Sequence, residues 1–540
     1  MTESGSSLKP GWVLLILTAL HAGLVFFRLD EHGLWLDEVM SIEAALASWP
    51  ELWRFFQTLP EQHPLYYLIL RPWLFTFGDS PVALRSLTAA FSVATVPALY
   101  LFLRQFTDAV PALVATALFA LAPFSVFYGQ EGRMYSLLLF LVCVSSALWL
   151  KVLGPRPPRW AVWGYVAAAV AGVYTHFFFA FVVLAHGVLG AAWPKWSDWR
   201  SRLRTLILPT LVGVLYIPWM ILILLNFPEG QGWKGTAHAV FSVPYTLLRF
   251  AVGYSIVIPN HDWQARIVEL VVEDAILLLT AFVAFGILTV LGFRAIRRSQ
   301  PPEEGRTLGF LGLVPVMVPL LLTPIMILAG ERYFLVSYPL FLALLGRGLS
   351  TGFGQPSRWL RPLALASFAA VLVVWTFGHV RYFSGEGFGK EGWREAIELV
   401  AAVEPDVDEL FYFPAHVGPS VRYHLQQEGL DPATTPLRDC GPISSARAWV
   451  ILSHREDPSS LLACLANLDD SPDIHFFPYG VGIYLIRISP SHLDPALVDR
   501  ARSQVGLNGT SLSPSHVGFI RWITSADQPQ EVRVSDVSNP

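Results

Sequence analysis

Long apolar runs constrain this chain more than any other feature. They occur at 11–28, 85–103, 110–128, 133–151, 160–176, 177–194, 205–225, 268–293, 308–328, 333–349 and 362–379. Each is about 17 to 25 residues long, enough for a helix to cross the hydrocarbon core of a bilayer. Inside a bilayer every backbone polar group needs an internal partner, so such runs are read as helices. Only 14% of the 540 residues are charged and 54% are hydrophobic, whereas a soluble chain is nearer a quarter charged. The chain is therefore read as an α-helical polytopic membrane protein in contact with the lipid bilayer. Its net charge of −4 and lack of a basic cluster give no footprint for nucleic acid.

The run Gly11–Phe27 lacks a small-residue cleavage site and leads directly into an acidic motif. It reads as a retained first helix rather than a cleaved signal. Residues 63–78 (HPLYYLILRPWLFTFG) are apolar but short and carry two prolines. The positive-inside rule decides whether they cross. If they lie in the interface, Lys9, Arg104, Lys151/Arg156/Arg159, Lys195/Arg200/Arg202/Arg204, Arg294/Arg297/Arg298/Arg306 and Arg347/Arg358/Arg361 all face the cytoplasm. If they cross, the later basic loops move outside. The first assignment gives about eleven spans, with the N-terminus in and the C-terminus out.

That topology gathers the unusual polar residues on the outer face. These are Asp37 and Glu38, Glu61 and His63, Gln130, Glu131 and Arg133, Thr175 and His176, His238, His261 and Asp262, and Glu331 and Arg332. The expected organisation is a membrane-embedded domain over 1–380 with an outer loop at 29–84. An extracytoplasmic α/β domain follows over 381–524, then a disordered tail over 525–540. In that domain, 391–400, 417–425 and 459–468 read as helices, and 409–414, 448–453 and 482–488 as strands. Segment 227–266 reads as an outer loop with an amphipathic or re-entrant portion, long enough to act as a lid. Cys143 lies in an apolar run, while Cys440 and Cys464 lie in the polar third. The latter two could pair in an oxidising compartment, and no CxxC or Cys/His metal spacing occurs.

Asp37-Glu38 sits among Trp35, Leu36, Val39 and Met40. Carboxylates half-buried by apolar flanks can act as a base or hold a cation. The bland alternative is a solvated loop. Glu61 and His63 could bind a divalent cation with Asp37 or Glu38, or His63 could contact an anionic headgroup. Glu131 and Arg133 either pair with each other or offer a guanidinium to phosphate. His176 lies in a tight hairpin and serves structure or site. Arg332 either neutralises phosphate or snorkels to headgroups.

LWLDEVMSI, EQHPLYYLIL, YGQEGRMYSLLLF, YTHFFFAF and ERYFLVSYPLFLALLGRGL occur in this order. Together they resemble motifs of bacterial relatives of protein O-mannosyltransferases and aminoarabinose-lipid A transferases, the family 39-like membrane glycosyltransferases of GT-C fold. The likeness spans about residues 10–380, and KEGWREAIELV extends it to the start of the outer domain. It implies a bacterial inner-membrane transferase that takes a sugar from a polyprenyl-phosphate donor and passes it to an extracytoplasmic protein, lipid or glycan. It implies Asp37 as the catalytic residue with Glu38 beside it, and substrate-binding roles for Glu61, His63, Glu131, Arg133 and Arg332. Pro64-Leu65 stands where some relatives carry a second proline. The sequence fixes neither a cofactor nor a divalent cation at Glu61 and His63. A transporter or flippase for lipid-linked glycans is the alternative from another class. It would place functional polar residues deep in the spans, where this chain has few.

Overall fold

The computed structural model describes residues 10–193, 199–226, 236–256, 272, 274–298, 303–322, 332–354, 359–384, 392–403, 405–413, 415–431, 433–436, 448–453, 473–479 and 483–489. These form two compact units. The first comprises residues up to Leu29, Ala44–Ile256 and Asp274–Ser384; the second comprises Asp30–Glu43 and the described residues from 392 onward.

Helices α1 (Pro10–Phe26), α2 (Leu36–Leu46), α3 (Trp49–Thr58), α4 (Pro64–Phe77), α5 (Pro81–Leu103) and α6 (Ala109–Leu121) open the chain. Helices α7 (Pro123–Gly129), α8 (Tyr135–Val152), α9 (Arg159–Val173), α10 (Phe179–Ala191), α11 (Trp199–Asn226) and α12 (Thr236–Val252) follow. Helices α13 (Ala275–Arg298), α14 (Glu303–Leu322), α15 (Tyr338–Gly354) and α16 (Leu360–Ser384) complete the first unit. A short 3-10 turn, Phe334–Ser337, leads into α15.

Seven stretches of the described residues are long and apolar enough to span a bilayer, or eight if the bent α6–α7 pair is one span. The chain is a multi-pass membrane protein. The expected spans at 11–28, 160–176 and 177–194 form helices of 17, 15 and 13 residues. The tight turn around Thr175 and His176 takes residues from two of those runs. Pro123 explains the 59° bend between α6 and α7, because proline cannot donate a backbone hydrogen bond and clashes with the preceding turn. At 14 residues, α4 rises about 21 Å, short of the roughly 30 Å hydrocarbon core.

Polar side chains tie the apolar helices together. His21 Nδ1 donates to the Ala120 carbonyl at 2.9 Å, and Nε2 accepts from Ser92 Oγ at 2.8 Å, joining α1, α5 and α6. Helices α13 and α15 touch through their backbones. A Cβ at Gly348 would lie 2.0 Å from the Leu288 carbonyl, and one at Gly292 2.2 Å from the Leu344 carbonyl. Only small residues permit such an approach between membrane helices.

Helix α3 has the pattern of an interfacial helix. Leu52 and Phe56 are buried, while Trp49 and Trp53 are exposed. The Arg71 guanidinium lies 4.5 Å from the Trp49 ring and 5.2 Å from Phe75. Exposed tryptophans next to a stacked arginine suit the headgroup layer.

In the second unit, α17 (Trp393–Val403), β1 (Glu409–Phe413), α18 (Gly418–Gln427), β2 (Ala433–Pro436), β3 (Ala448–Ser453), β4 (Asp473–Tyr479) and β5 (Ile483–Ser489) build an α/β domain. The sheet order is β2-β1-β3-β5-β4. β1 runs parallel to β2 and β3, and β5 runs antiparallel to β3 and β4. The core holds Trp393, Ile397, Val400, Leu410, Val421 and Trp449. Leu36 belongs to the same core, and Met40 packs against it. Three expected strands and two expected helices are present; β2 and β4 were not expected. The expected helix at 459–468, the tail and both cysteines of the polar third lie outside the described residues, as do Glu331, His261, Asp262 and the side chain of His238.

Candidate active site

Asp37 and Glu38 open α2. Trp35 is its cap: the Glu38 and Val39 amides donate to the Trp35 carbonyl at 3.0 and 3.1 Å. The Glu38 carboxylate reaches back to the Trp35 amide at 3.4 Å. This is half of a capping box, and negative charge in the first helical turn is favourable. Glu38 is fully buried and Asp37 is half-buried. The two neighbouring acids thus differ: Glu38 supports the helix start, while Asp37 keeps partial access to water.

The other candidates lie in the first unit. Four of them come together where the loop before α4, the α7–α8 turn, the α9–α10 turn and the segment before α15 meet. The Leu65 amide donates to the Tyr174 carbonyl at 3.0 Å, fixing the first loop to the third. His63 and His176 are buried, with rings nearly parallel and centroids 6.4 Å apart. His63 Nδ1 sits 2.8 Å from the Glu61 carbonyl, which can only accept. The ring proton is therefore on Nδ1, and Nε2 accepts from the Tyr216 hydroxyl at 2.7 Å. His176 is the opposite tautomer. Its Nδ1 accepts from the Phe178 amide at 3.2 Å, leaving the proton on Nε2.

Both imidazoles are held neutral. Burial pushes His63 down to about 4, partly offset by its bond to Glu61. Burial pushes His176 well below the usual range, and its electrostatic neighbours His63, Arg133 and Arg332 disfavour a second proton there. Both arginines thus act on one buried point. Arg133 is itself buried. It donates to Gln62 Oε1 at 2.9 Å and to the Tyr67 hydroxyl at 3.3 Å, and Tyr67 donates to the same Gln62 oxygen at 2.8 Å. Arg332 is half-buried. The adjacent Tyr333 stacks on Phe178 at 5.0 Å and lies 5.9 Å from His176.

Glu131 is buried in the same turn, with its carbonyl accepting from the Arg133 amide at 2.7 Å. Gln130 serves structure: its amide donates to the carbonyls of Val25 and Phe27, satisfying the end of α1. Glu61 is exposed, and its carbonyl orients His63. With Nδ1 donating and Nε2 accepting, His63 as placed presents no spare lone pair to a cation. Among the described residues no group of three His, Cys, Asp or Glu side chains is arranged to hold a metal ion.

Gln62, Tyr216 and Trp219, whose ring lies 6.0 Å from that of His63, were not singled out from the sequence. Gln62 stood between two candidates, and Tyr216 lay inside an apolar run. Their only signal was polar or aromatic character beside the predicted outer face.

The fold is similar to that of ArnT from Cupriavidus metallidurans in the apo state, with a TM-score of 0.53 and 14% identity over 88% of this chain and 98% of that one. It is equally similar to ArnT bound to undecaprenyl phosphate, with a TM-score of 0.53 and 13% identity over 90% and 99%. The chain has the GT-C fold. A lower similarity, with a TM-score of 0.47 and 12% identity over 92% and 76%, relates it to the oligosaccharyltransferase of Archaeoglobus fulgidus in the apo form. No family model and no curated protein matches the sequence.

The buried imidazoles make stability depend on pH in one direction. A folded-state pKa near 4 against an ordinary value of 6.5 means that the unfolded chain binds the proton first. The contribution of His63 is complete above pH 6.5 and is lost as pH falls toward 4. A melting curve in detergent is expected to show destabilisation across that window, roughly 3 kcal/mol from this one group. His63→Gln should flatten the curve; an unchanged slope would refute the burial of a neutral imidazole.

Proposed function

We propose that this chain is an integral-membrane glycosyltransferase of the bacterial inner membrane, with the N-terminus cytoplasmic and the C-terminal domain extracytoplasmic. It moves a sugar from a polyprenyl-phosphate donor to an acceptor on the outer side, a protein, lipid or glycan. The observation that carries this reading is the convergence of Arg133 and Arg332 on a buried pocket whose two histidines stay neutral. Permanent cations beside buried, neutral imidazoles suit a phosphate ligand. ArnT, which shares the fold, has been captured with undecaprenyl phosphate.

An apolar cavity supports the lipid half of the substrate. It encloses about 320 Å³ between α12, α13, α14 and the 3-10 turn with α15. Phe250, Phe293, Leu308, Val316, Phe334 and Phe341 are among its lining side chains. Phe334 is two residues from Arg332, so a phosphate at the arginine can continue into an isoprenoid chain in the cavity.

The reaction is a single displacement. The Asp37 carboxylate takes the proton of the acceptor hydroxyl or amine. The acceptor atom bonds to the anomeric carbon from the face opposite the phosphate, and the carbon–oxygen bond to phosphate breaks with inversion. Polyprenyl phosphate leaves with the electron pair. Arg133 and Arg332 neutralise the charge that develops there. The His176 Nε2–H can donate a hydrogen bond without adding charge, while His63 is held between Glu61 and Tyr216 and shapes the pocket. Asp37 returns its proton to water.

The test is incubation of the purified chain in lipid with a panel of polyprenyl-phosphate sugars and outer-envelope acceptors. Release of polyprenyl phosphate that depends on acceptor, with the sugar found on the acceptor in inverted configuration, is expected. Movement of intact lipid-linked glycan across vesicles without cleavage would replace this reading with a flippase.

A further inference from the structure

The second unit contains residues that hold the Asp37 segment in place. At its start, Arg394 Nη1 on α17 donates to the Asp30 carbonyl at 2.8 Å. In its middle, His424 Nε2 on α18 donates to the Leu34 carbonyl at 3.0 Å. His424 is 3% exposed, so breaking this bond would strand a buried carbonyl. At its far end, Arg422 approaches Glu43 at 3.7 Å, an exposed pair that adds little. Leu36 and Met40, one helical turn apart, face the core around Trp393 and Trp449. Asp37, next to Leu36, is rotated about 100° from that face.

Gly33 shows how close the fit is. A Cβ there would lie 3.0 Å from the Arg394 Cβ and 3.7 Å from His424 Cε1. A Cβ at 33 would press on Arg394 and touch His424.

We infer that the C-terminal α/β domain is the seat of the acidic loop, with His424 and Arg394 as positioning residues that fix the start of α2 and thereby Asp37. The inference rests on the proposed role of Asp37. It gives the domain a part in turnover without any ligand of its own. Two bonds and one apolar plug hold a segment whose carboxylate must meet the acceptor proton within hydrogen-bond reach.

The experiment uses the full chain with His424→Leu, Arg394→Met and both together, beside the conservative His424→Gln and Arg394→Lys. A glutamine amide reaches as far as Nε2 and keeps the donor. In the double His424→Leu/Arg394→Met chain, kcat should fall about 10- to 100-fold with the donor KM unchanged, while the melting temperature falls only by the few degrees that a stranded carbonyl costs. Amide hydrogen exchange over 30–43 should accelerate while other segments keep their rates. The conservative pair should restore both readouts.

Unchanged exchange over 30–43 would overturn the holding role. Faster exchange with full kcat would overturn the positioning role. Equal loss of melting temperature and activity in all variants would reduce both residues to general stability and overturn the proposal. If the native chain turns over no donor, the proposed reaction fails, and the exchange arm still decides whether the domain holds the segment.

Discussion

Asp37→Asn is expected to lower turnover by about 10²- to 10⁴-fold, the usual contribution of a positioned base. The substitution keeps the size of the side chain and the half-capping bond of Glu38 to Trp35, so melting temperature and donor binding should stay near native. Glu38→Gln should behave differently. It removes charge from a fully buried capping group, and its cost should appear in stability before rate. Initial rates at saturating donor, with melting curves for both proteins, separate the two. A purified Asp37→Asn chain that turns over normally would remove Asp37 from the mechanism.

The second large effect is expected at Arg332. Arg332→Gln should lower kcat by about 10²- to 10³-fold, the loss measured for one preorganised group at a developing negative charge. Its half-buried position makes the change tolerable to the fold. Arg133→Gln should be costlier to stability, because that guanidinium is buried and bonded to Gln62 and Tyr67. A single-turnover experiment with labelled donor isolates bond cleavage from product departure. Native cleavage rates in Arg332→Gln would assign that arginine to the membrane surface.

The helical part of the fold was legible because period and length act locally. Apolar runs name spans without knowledge of neighbours, and prolines name their breaks, as Pro123 does. The sheet was half legible. β1, β3 and β5 are largely apolar runs rich in β-branched or aromatic residues. β2 has four residues, Ala433–Pro436, and no pattern. β4 carries Pro478, which argues against a strand unless it lies at an edge, and β4 is an edge.

The candidate positions were legible where polar residues break an apolar context, as at Asp37, His63, Arg133 and Arg332. It was not legible where function is built from contact. Tyr216 sits 153 residues from His63 and looks like any aromatic in a span. The resemblance already separates Asp37 from Glu38; what the sequence lacks is the direction each side chain takes off the first turn, which buries Glu38 and leaves Asp37 half-buried. His424 is 390 residues from Leu34, and nothing in a polar domain marks one histidine as a clasp for a distant loop.

The opposed tautomers of His63 and His176 leave both imidazoles uncharged, so the positive charge near them is that of Arg133 and Arg332. That charge does not follow the acidity of the surroundings, because guanidinium does not titrate. A sugar-carrying lipid phosphate is a diester with one negative charge; after transfer it is a monoester approaching two. In the proposed reaction, guanidiniums beside that phosphate would attract the state after bond cleavage more strongly than the state before it. Such a mismatch with the resting substrate speeds the chemical step. In the proposed reaction it would also make the spent carrier the tighter-held species, so polyprenyl phosphate is expected to inhibit turnover as a product.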